Sequence, residues 1–225
     1  GDEPVLIARR CGCPVVVAPK RADAVRLLEQ SGEVDIIITD DGLQHYALAR
    51  DIELVVVDGA RRFGNGCLLP MGPLREPMTR LKRVDAIICN GGTPAQGEYP
   101  MALVAAAPRR VCDDAPLEAP LAGPVDALAG IGHPPRFFAT LTGLGYELVQ
   151  SVGYADHQAF DRDELLARFG ERPLLMTEKD AVKCRAFAPA HWWYLPVSAE
   201  LPASLLDALL QRLTPPQAPG PDHAH

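Results

Sequence analysis

The sequence predicts an α/β protein: a mostly parallel sheet flanked by helices, followed by a second, smaller α/β domain. Three observations carry this expectation. Short apolar runs such as Ile36-Ile37-Ile38-Thr39, Leu54-Val55-Val56-Val57 and Ala86-Ile87-Ile88 alternate with helical or Gly/Pro-rich connections, which is the rhythm of βαβ units. The runs are apolar at successive residues, as strands buried on both faces are. Each is followed by Asp or Asn (Asp40 and Asp41, Asp58, Asn90), so polar groups gather at the strand ends where open α/β sheets bind ligands.

Composition narrows the classes. The 225 residues suit one large domain or two small ones, and an apolar content of 48% supplies a sizeable core. No apolar run approaches the roughly 18 residues that a membrane-spanning helix needs. A formal net charge of −7 argues against nucleic acid as a partner, because phosphate binding rests on an excess of cationic side chains. The six cysteines are scattered, with one residue between Cys11 and Cys13 and no CxxC pair. Zinc and disulfide frameworks are therefore weak readings, and buried or idle thiols in a reducing compartment fit better.

Taken in order, Pro4 with the acids Asp2 and Glu3 opens a short helix over residues 5–10. The chain has no initiator Met or signal peptide and enters this helix at once, so the expectation is a fragment lacking an N-terminal portion. Residues 14–18 read as a strand. Residues 21–30 read as a helix with Ala24, Leu27 and Leu28 on one face, ended by Ser31 and Gly32. Strands are then expected at 36–39, 51–59 and 85–92. The Gly- and Pro-rich stretch 61–77 lacks the long polar tract of a linker and reads as an ordered functional loop. Residues 100–104 form a possible last strand of this domain, and 108–124 an irregular crossing. The second rhythm has strands at 125–130, 146–152, 174–176 and 192–197, with helices at 135–144 and 180–187. A further helix opens at Asp161, whose side chain caps it with Glu164 three residues on. This gives domains at 1–108 and 109–200, a helix at 201–213 that returns to the first domain, and a Pro-rich tail at 214–225 expected to be disordered.

An apolar strand ending in Asp is how nucleotide-hydrolysing and phosphoryl-transfer proteins hold magnesium, although a polar turn at a strand end has the same appearance. The residues around Asp40 and Asp41 add more. The chain resembles the tetraacyldisaccharide 4′-kinase (lipid A 4′-kinase) family in Gly1-Asp2-Glu3-Pro4, in Asp40-Asp41-Gly42-Leu43-Gln44-His45, and in Phe63-Gly64-Asn65-Gly66 through Pro70. The likeness continues in Gly72-Pro73-Leu74-Arg75-Glu76-Pro77, in Gly130-Ile131-Gly132-His133-Pro134 with Phe137-Phe138, in Asp156-His157-Gln158-Ala159-Phe160, and in Met176-Thr177-Glu178-Lys179-Asp180. Each motif alone is weak, but together and in the family's order they are specific. The resemblance implies a P-loop-kinase-like core and a smaller lid domain. It also implies ATP-dependent phosphorylation of the 4′-hydroxyl of a tetraacyl disaccharide 1-phosphate in bacterial lipid A (lipopolysaccharide) biosynthesis, with ATP and Mg²⁺ as cofactors. Family members add a membrane-associating N-terminal segment and a glycine-rich phosphate-binding loop. This chain contains no GxxxxGK[ST], so no nucleotide-phosphate residue is assigned and the isolated chain is expected to be inactive. The implied location is the cytoplasmic face of the bacterial inner membrane, peripherally bound.

The resemblance also implies roles. Asp40 and Asp41 are hard oxygen ligands suited to Mg²⁺, directly or through water. Asp2 is the candidate base, partnered by His157 across domains that close on one another; taken alone, His157 reads more readily as a capping or core histidine, and the resemblance reverses that. Arg75 fits a substrate phosphate, since a planar fork suits phosphate oxygens, or is simply solvated. Gln44, His45 and Glu3 are carried over as substrate-binding. Lys179 and Asp180 read as an ion pair at a helix start, His133 as a turn residue, and His191, His223 and His225 carry no argument. Two rivals stay open: a haloacid-dehalogenase-like Mg²⁺-dependent phosphatase, although its nucleophile and acid need DxD spacing and these acids are adjacent, and a non-catalytic truncated domain.

Overall fold

The computed structural model describes residues 2–213. Gly1 and the expected tail at 214–225 lie outside the described residues. The chain divides into two compact units: residues up to Ile38 together with Ala105–Ser198, and Thr39–Val104 together with the segment from Ala199 onward.

The first unit is built on a five-stranded sheet in the order β4-β8-β7-β5-β6. Its strands are β4 (Arg109–Arg110), β5 (Val125–Ala129), β6 (Leu148–Gly153), β7 (Leu174–Thr177) and β8 (Trp192–Leu195). Pairings among β5, β6, β7 and β8 are parallel, and only β4 runs antiparallel, at the edge. Every residue of β5 and β8 is buried, which explains why these stretches read as continuous rather than alternating apolar runs. One face packs Leu128, Leu174, Met176 and Trp192 with Leu165 and Phe169 of α4 (Arg162–Phe169). The other packs Ala127, Leu175 and Trp193 with Phe137 and Leu141 of α3 (Pro134–Gly143). Asp161 caps α4 by accepting from the Glu164 N–H, as the capping-box pattern predicts. The unit also holds α1 (Asp2–Cys11), α2 (Arg21–Ser31) and α5 (Glu178–Cys184).

The second unit carries a four-stranded sheet in the order β1-β2-β3-β9. Its strands are β1 (Leu54–Asp58), β2 (Ala86–Asn90), β3 (Tyr99–Ala105) and β9 (Val197–Glu200), the last two crossing the boundary between the units. β1 and β2 are parallel, with Asp58 opposite Asn90, so two of the three expected polar strand ends share an edge, whereas Asp40 and Asp41 follow no strand. Here α6 (Ala203–Leu213) buries Leu205 among Ala86 and Ile88. The loop at 61–77 is ordered by turns and leads into a 3-10 helix, Met78–Arg83, that periodicity did not indicate.

Two expected strands are absent. Residues 14–18 and 36–39 adopt no strand, and Ile38 is 90% exposed. A β-branched run becomes a strand only when a neighbour takes up its backbone donors and acceptors, and neither segment has a strand partner among the described residues. The grouping of residues also differs from the expected division at 108/109, because residues up to Ile38 pack with the later segment rather than with 39–104.

Candidate active site

Within the first unit, the carboxyl ends of β5, β6 and β7 converge with the first turn of α1. This is the edge of a parallel sheet at which ligands bind. Asp180, in the first turn of α5, is fully buried. It accepts hydrogen bonds from the Gly130 N–H at 2.8 Å, the Thr177 hydroxyl at 2.6 Å and Lys183 Nζ at 3.1 Å. Three donors satisfy a charge that would otherwise be costly to bury. The close approach explains Gly130 at the end of β5: a Cβ there would stand 2.8 Å from Asp180 Oδ1 and 3.2 Å from the Phe160 ring. Lys183 is held from three sides, by Asp180, by the Phe160 ring with its centroid 4.7 Å away, and by Asp2 Oδ2 at 3.7 Å.

Asp2 lies in the same unit as His157, and the two meet: His157 Nδ1 is 3.3 Å from Asp2 Oδ1. The pair therefore forms inside one compact unit, in contrast to the expected dyad split between closing domains. Asp2 Oδ2 is buried and takes part in no hydrogen bond with the described residues. Burial pushes the Asp2 carboxyl up, but its own backbone N–H, the His157 contact and the charges of Lys179 and Lys183 outweigh this and leave it below the usual carboxylate range. Desolvation thus does not make Asp2 a stronger base here. His157 has a φ of 60°, a left-handed conformation uncommon outside glycine that stores backbone strain. Its N–H is bonded to Asp156 Oδ1 at 3.1 Å.

Lys179, 13% exposed, places its ammonium among Glu3 Oε1 at 2.8 Å, Asp156 Oδ1 at 2.9 Å and His157 Nε2 at 3.4 Å. Burial alone would pull the Lys179 ammonium down, yet its bonds to Glu3 and Asp156 raise it. The bond to Lys179 holds the Asp156 carboxyl low against a smaller opposing effect of burial. Lys179 and Asp180 are consequently not an ion pair with each other, as their adjacency suggested: successive residues at the start of α5 point to different partners. Glu3, carried over as a substrate contact, is bonded to Lys179. Lys179, Asp180 and Lys183 are residues that sequence reasoning did not assign to the site; for Asp180 and Lys183 a signal was available. It was their i,i+3 spacing on one helix face.

The remaining expected site residues belong to the second unit. Asp40 and Asp41 are exposed at a turn, Asp41 with a φ of 50°. Among the described residues, no group of three or more His, Cys, Asp or Glu forms a metal site. Gln44 donates to Glu76 Oε1 at 2.7 Å, Tyr46 to Glu76 Oε2 at 2.6 Å, and Arg80 approaches the same carboxylate at 3.3 Å. These bonds tie the loop after the paired acids to the one carrying Arg75. Glu76 is held low by the Tyr46 and Gln44 bonds, with burial opposing. Arg75 and His45 are exposed. His133 precedes α3 without a capping bond, consistent with a turn position.

A sequence model of the tetraacyldisaccharide-1-P 4′-kinase family matches residues 1–214. The chain is 85% identical over 213 residues to the tetraacyldisaccharide 4′-kinases of Aeromonas hydrophila and Aeromonas salmonicida. It is 60% identical, also over 213 residues, to that of Tolumonas auensis. The matches cover 95% of this chain but 64% of each Aeromonas protein and 65% of the Tolumonas protein, so the chain spans about two thirds of their length. Its backbone is similar to the crystal structure of an "apo" form of LpxK from Aquifex aeolicus in complex with ATP. That likeness, with a TM-score of 0.73 over 95% of this chain and 69% of the other at 22% identity, is one of α/β fold. The chain belongs to the tetraacyldisaccharide-1-P 4′-kinase family.

Proposed function

We propose that this chain supplies the acceptor-activating part of a kinase that transfers phosphate from ATP to the 4′-hydroxyl of a tetraacyl disaccharide 1-phosphate in lipid A synthesis. The observation that carries this reading is the Asp2–His157 contact at 3.3 Å, with Asp2 Oδ2 left as an acceptor without a hydrogen bond. Phosphoryl transfer asks little covalent chemistry of the protein beyond positioning the nucleophile and compensating charge. Asp2 Oδ2 is suited to accept the proton of the attacking hydroxyl, and Oδ1 is anchored by His157. Lys183, 3.7 Å from Oδ2, adds a positive charge beside the carboxylate.

Mg²⁺ commonly takes one or two carboxylates and completes its shell with phosphate oxygens and water, a demand that the exposed neighbours Asp40 and Asp41 fit. When bound, the ion neutralises charge on the transferred phosphate. Arg75, exposed in its loop, is the candidate for an anionic group of the substrate, and Gln44, His45 and Glu3 are further substrate-binding candidates from motifs that resemble those of the family. The nucleotide phosphates are assigned no residue of this chain. An acylated acceptor places the enzyme at a lipid surface, which we take to be the cytoplasmic face of the inner membrane. No helix among the described residues is long and apolar enough to cross a membrane. The adjacency of Asp40 and Asp41 and the family membership leave the phosphatase reading without support.

In the complete protein, Asp2→Asn should lower kcat for transfer of labelled γ-phosphate to the disaccharide by about 10²–10⁴-fold, the usual worth of a positioned proton acceptor. Wild-type turnover in that variant, folded to the same extent, overturns the assignment.

A further inference from the structure

We propose that Lys179 is a positioning residue for the Asp2–His157 pair: by donating to His157 Nε2 it fixes the imidazole as the Nδ1–H tautomer, which then donates to Asp2. A neutral imidazole carries one proton, and the bond made by one nitrogen decides which nitrogen holds it. Here Nε2 faces the Lys179 ammonium at 3.4 Å. An ammonium has donors only, so Nε2 must be the acceptor. Nδ1 faces Asp2 Oδ1 at 3.3 Å, and an ionised carboxylate only accepts, so Nδ1 must be the donor. The opposite tautomer would set an N–H against an ammonium and a lone pair against a carboxylate, making both contacts repulsive.

Lys179 is itself fixed. Its three donors meet three acceptors, Glu3 Oε1, Asp156 Oδ1 and His157 Nε2, and its side chain is 13% exposed. It projects from α5, whose start is locked by the Thr177 cap and the buried Asp180. The other charges facing the pair are Asp156 Oδ2, 3.9 Å from Nε2 and beyond hydrogen-bond reach, and Lys183, 3.7 Å from Asp2 Oδ2. The left-handed backbone at His157, with its N–H on Asp156, turns the ring into this slot.

The consequence concerns direction of proton movement. With Nδ1 already protonated, His157 orients Asp2 and does not receive its proton, so Asp2 Oδ2 is the acceptor that stays available. This kinetic consequence rests on the kinase reading above; the tautomer does not.

The test is two-bond ¹H–¹⁵N NMR of the ¹⁵N-histidine-labelled complete protein at about pH 8, where an ordinary imidazole is neutral. The His157 signals are assigned by their loss in His157→Gln. The expected wild-type result is a protonated, pyrrole-type Nδ1 and an unprotonated, pyridine-type Nε2; the reverse pattern overturns the proposal. In Lys179→Met the Asp2 carboxylate still faces Nδ1, so the ring should stay mainly Nδ1–H but gain a detectable Nε2–H share, and Lys179→Arg, which keeps a cationic donor, should show none. An unchanged Nδ1–H ring in folded Lys179→Met also overturns it, and should that variant not fold, the wild-type spectrum and Lys179→Arg decide. In kinase assays Lys179→Met should lose about 10–100-fold in kcat with little change in KM, part of what oriented proton transfer contributes. A wild-type Nδ1–H spectrum from a protein that transfers no phosphate would strike the kinase reading and leave the tautomer standing.

Discussion

Glu98 shows how single residues hold this chain together. Its carboxylate, 6% exposed, takes both ends of the Arg62 guanidinium at 2.6 and 2.8 Å and the Ala95 N–H at 2.9 Å. A bidentate fork of this kind is the strong form of ion pair. Arg62 holds the Glu98 carboxyl below its ordinary 4.5, with burial opposing. A carboxyl lowered in the folded state contributes stability that is present above the unfolded value and is lost as pH falls through the folded one. Glu98→Gln should therefore melt below wild type at pH 7, and the gap should start to narrow near pH 4.5 and close only as the pH falls through the lower folded-state value. Thermal melts across this pH range read this directly, and a gap that widens in acid contradicts the assignment. Asp180, fully buried, has its charge answered inside the protein by the Gly130 N–H, the Thr177 hydroxyl and Lys183.

At the level of elements, the ends of β1 and β2 are fitted by glycine. A Cβ on Gly59 would lie 1.8 Å from the Gly91 carbonyl oxygen and 2.6 Å from its carbon. Backbone cannot yield as a flexible side chain does, so the two strand ends would have to separate. Gly59→Ala should cost about 1–3 kcal/mol or more, the range for overpacking, read as a drop in the urea midpoint. An unaffected midpoint would mean that the strand ends lie further apart. The start of α5 makes the complementary point. Thr177 caps the helix by accepting the Asp180 N–H, and the helix so started delivers Lys179 from its first turn and Lys183 from its last to α1.

For the molecule as a whole, the exposed apolar run is the feature with a measurable consequence. Ile36 is 55% and Ile38 90% exposed, with Val17 at 71% in the same unit. Contiguous exposed apolar surface drives association. The 225-residue chain should self-associate with rising concentration in sedimentation velocity, and the double substitution Ile36→Lys with Ile38→Lys should shift it toward monomer. A wild-type chain that stays monomeric at every concentration contradicts this.

What the sequence determined by itself is the local chemistry. The Asp161 cap with Glu164, the Gly32 helix stop, the buried apolar runs of β5, β8 and Leu174–Met176 of β7, and the motifs that mark the family all depend on near neighbours in the chain. Strand propensity at 14–18 and 36–39 was equally legible, yet a strand exists only where a partner accepts its backbone bonds, and that is a tertiary matter. The cluster around Asp2 was decided in the same way. Asp2 and Lys179 are 177 positions apart by their numbers, and nothing local tells Lys179 to choose Glu3, Asp156 and His157 over its neighbour Asp180. Only the packing of α1 on α5, at the ends of β5, β6 and β7, puts those acceptors around one ammonium. Side-chain charge is written in the sequence, but which charges share a low-dielectric space is set by the fold.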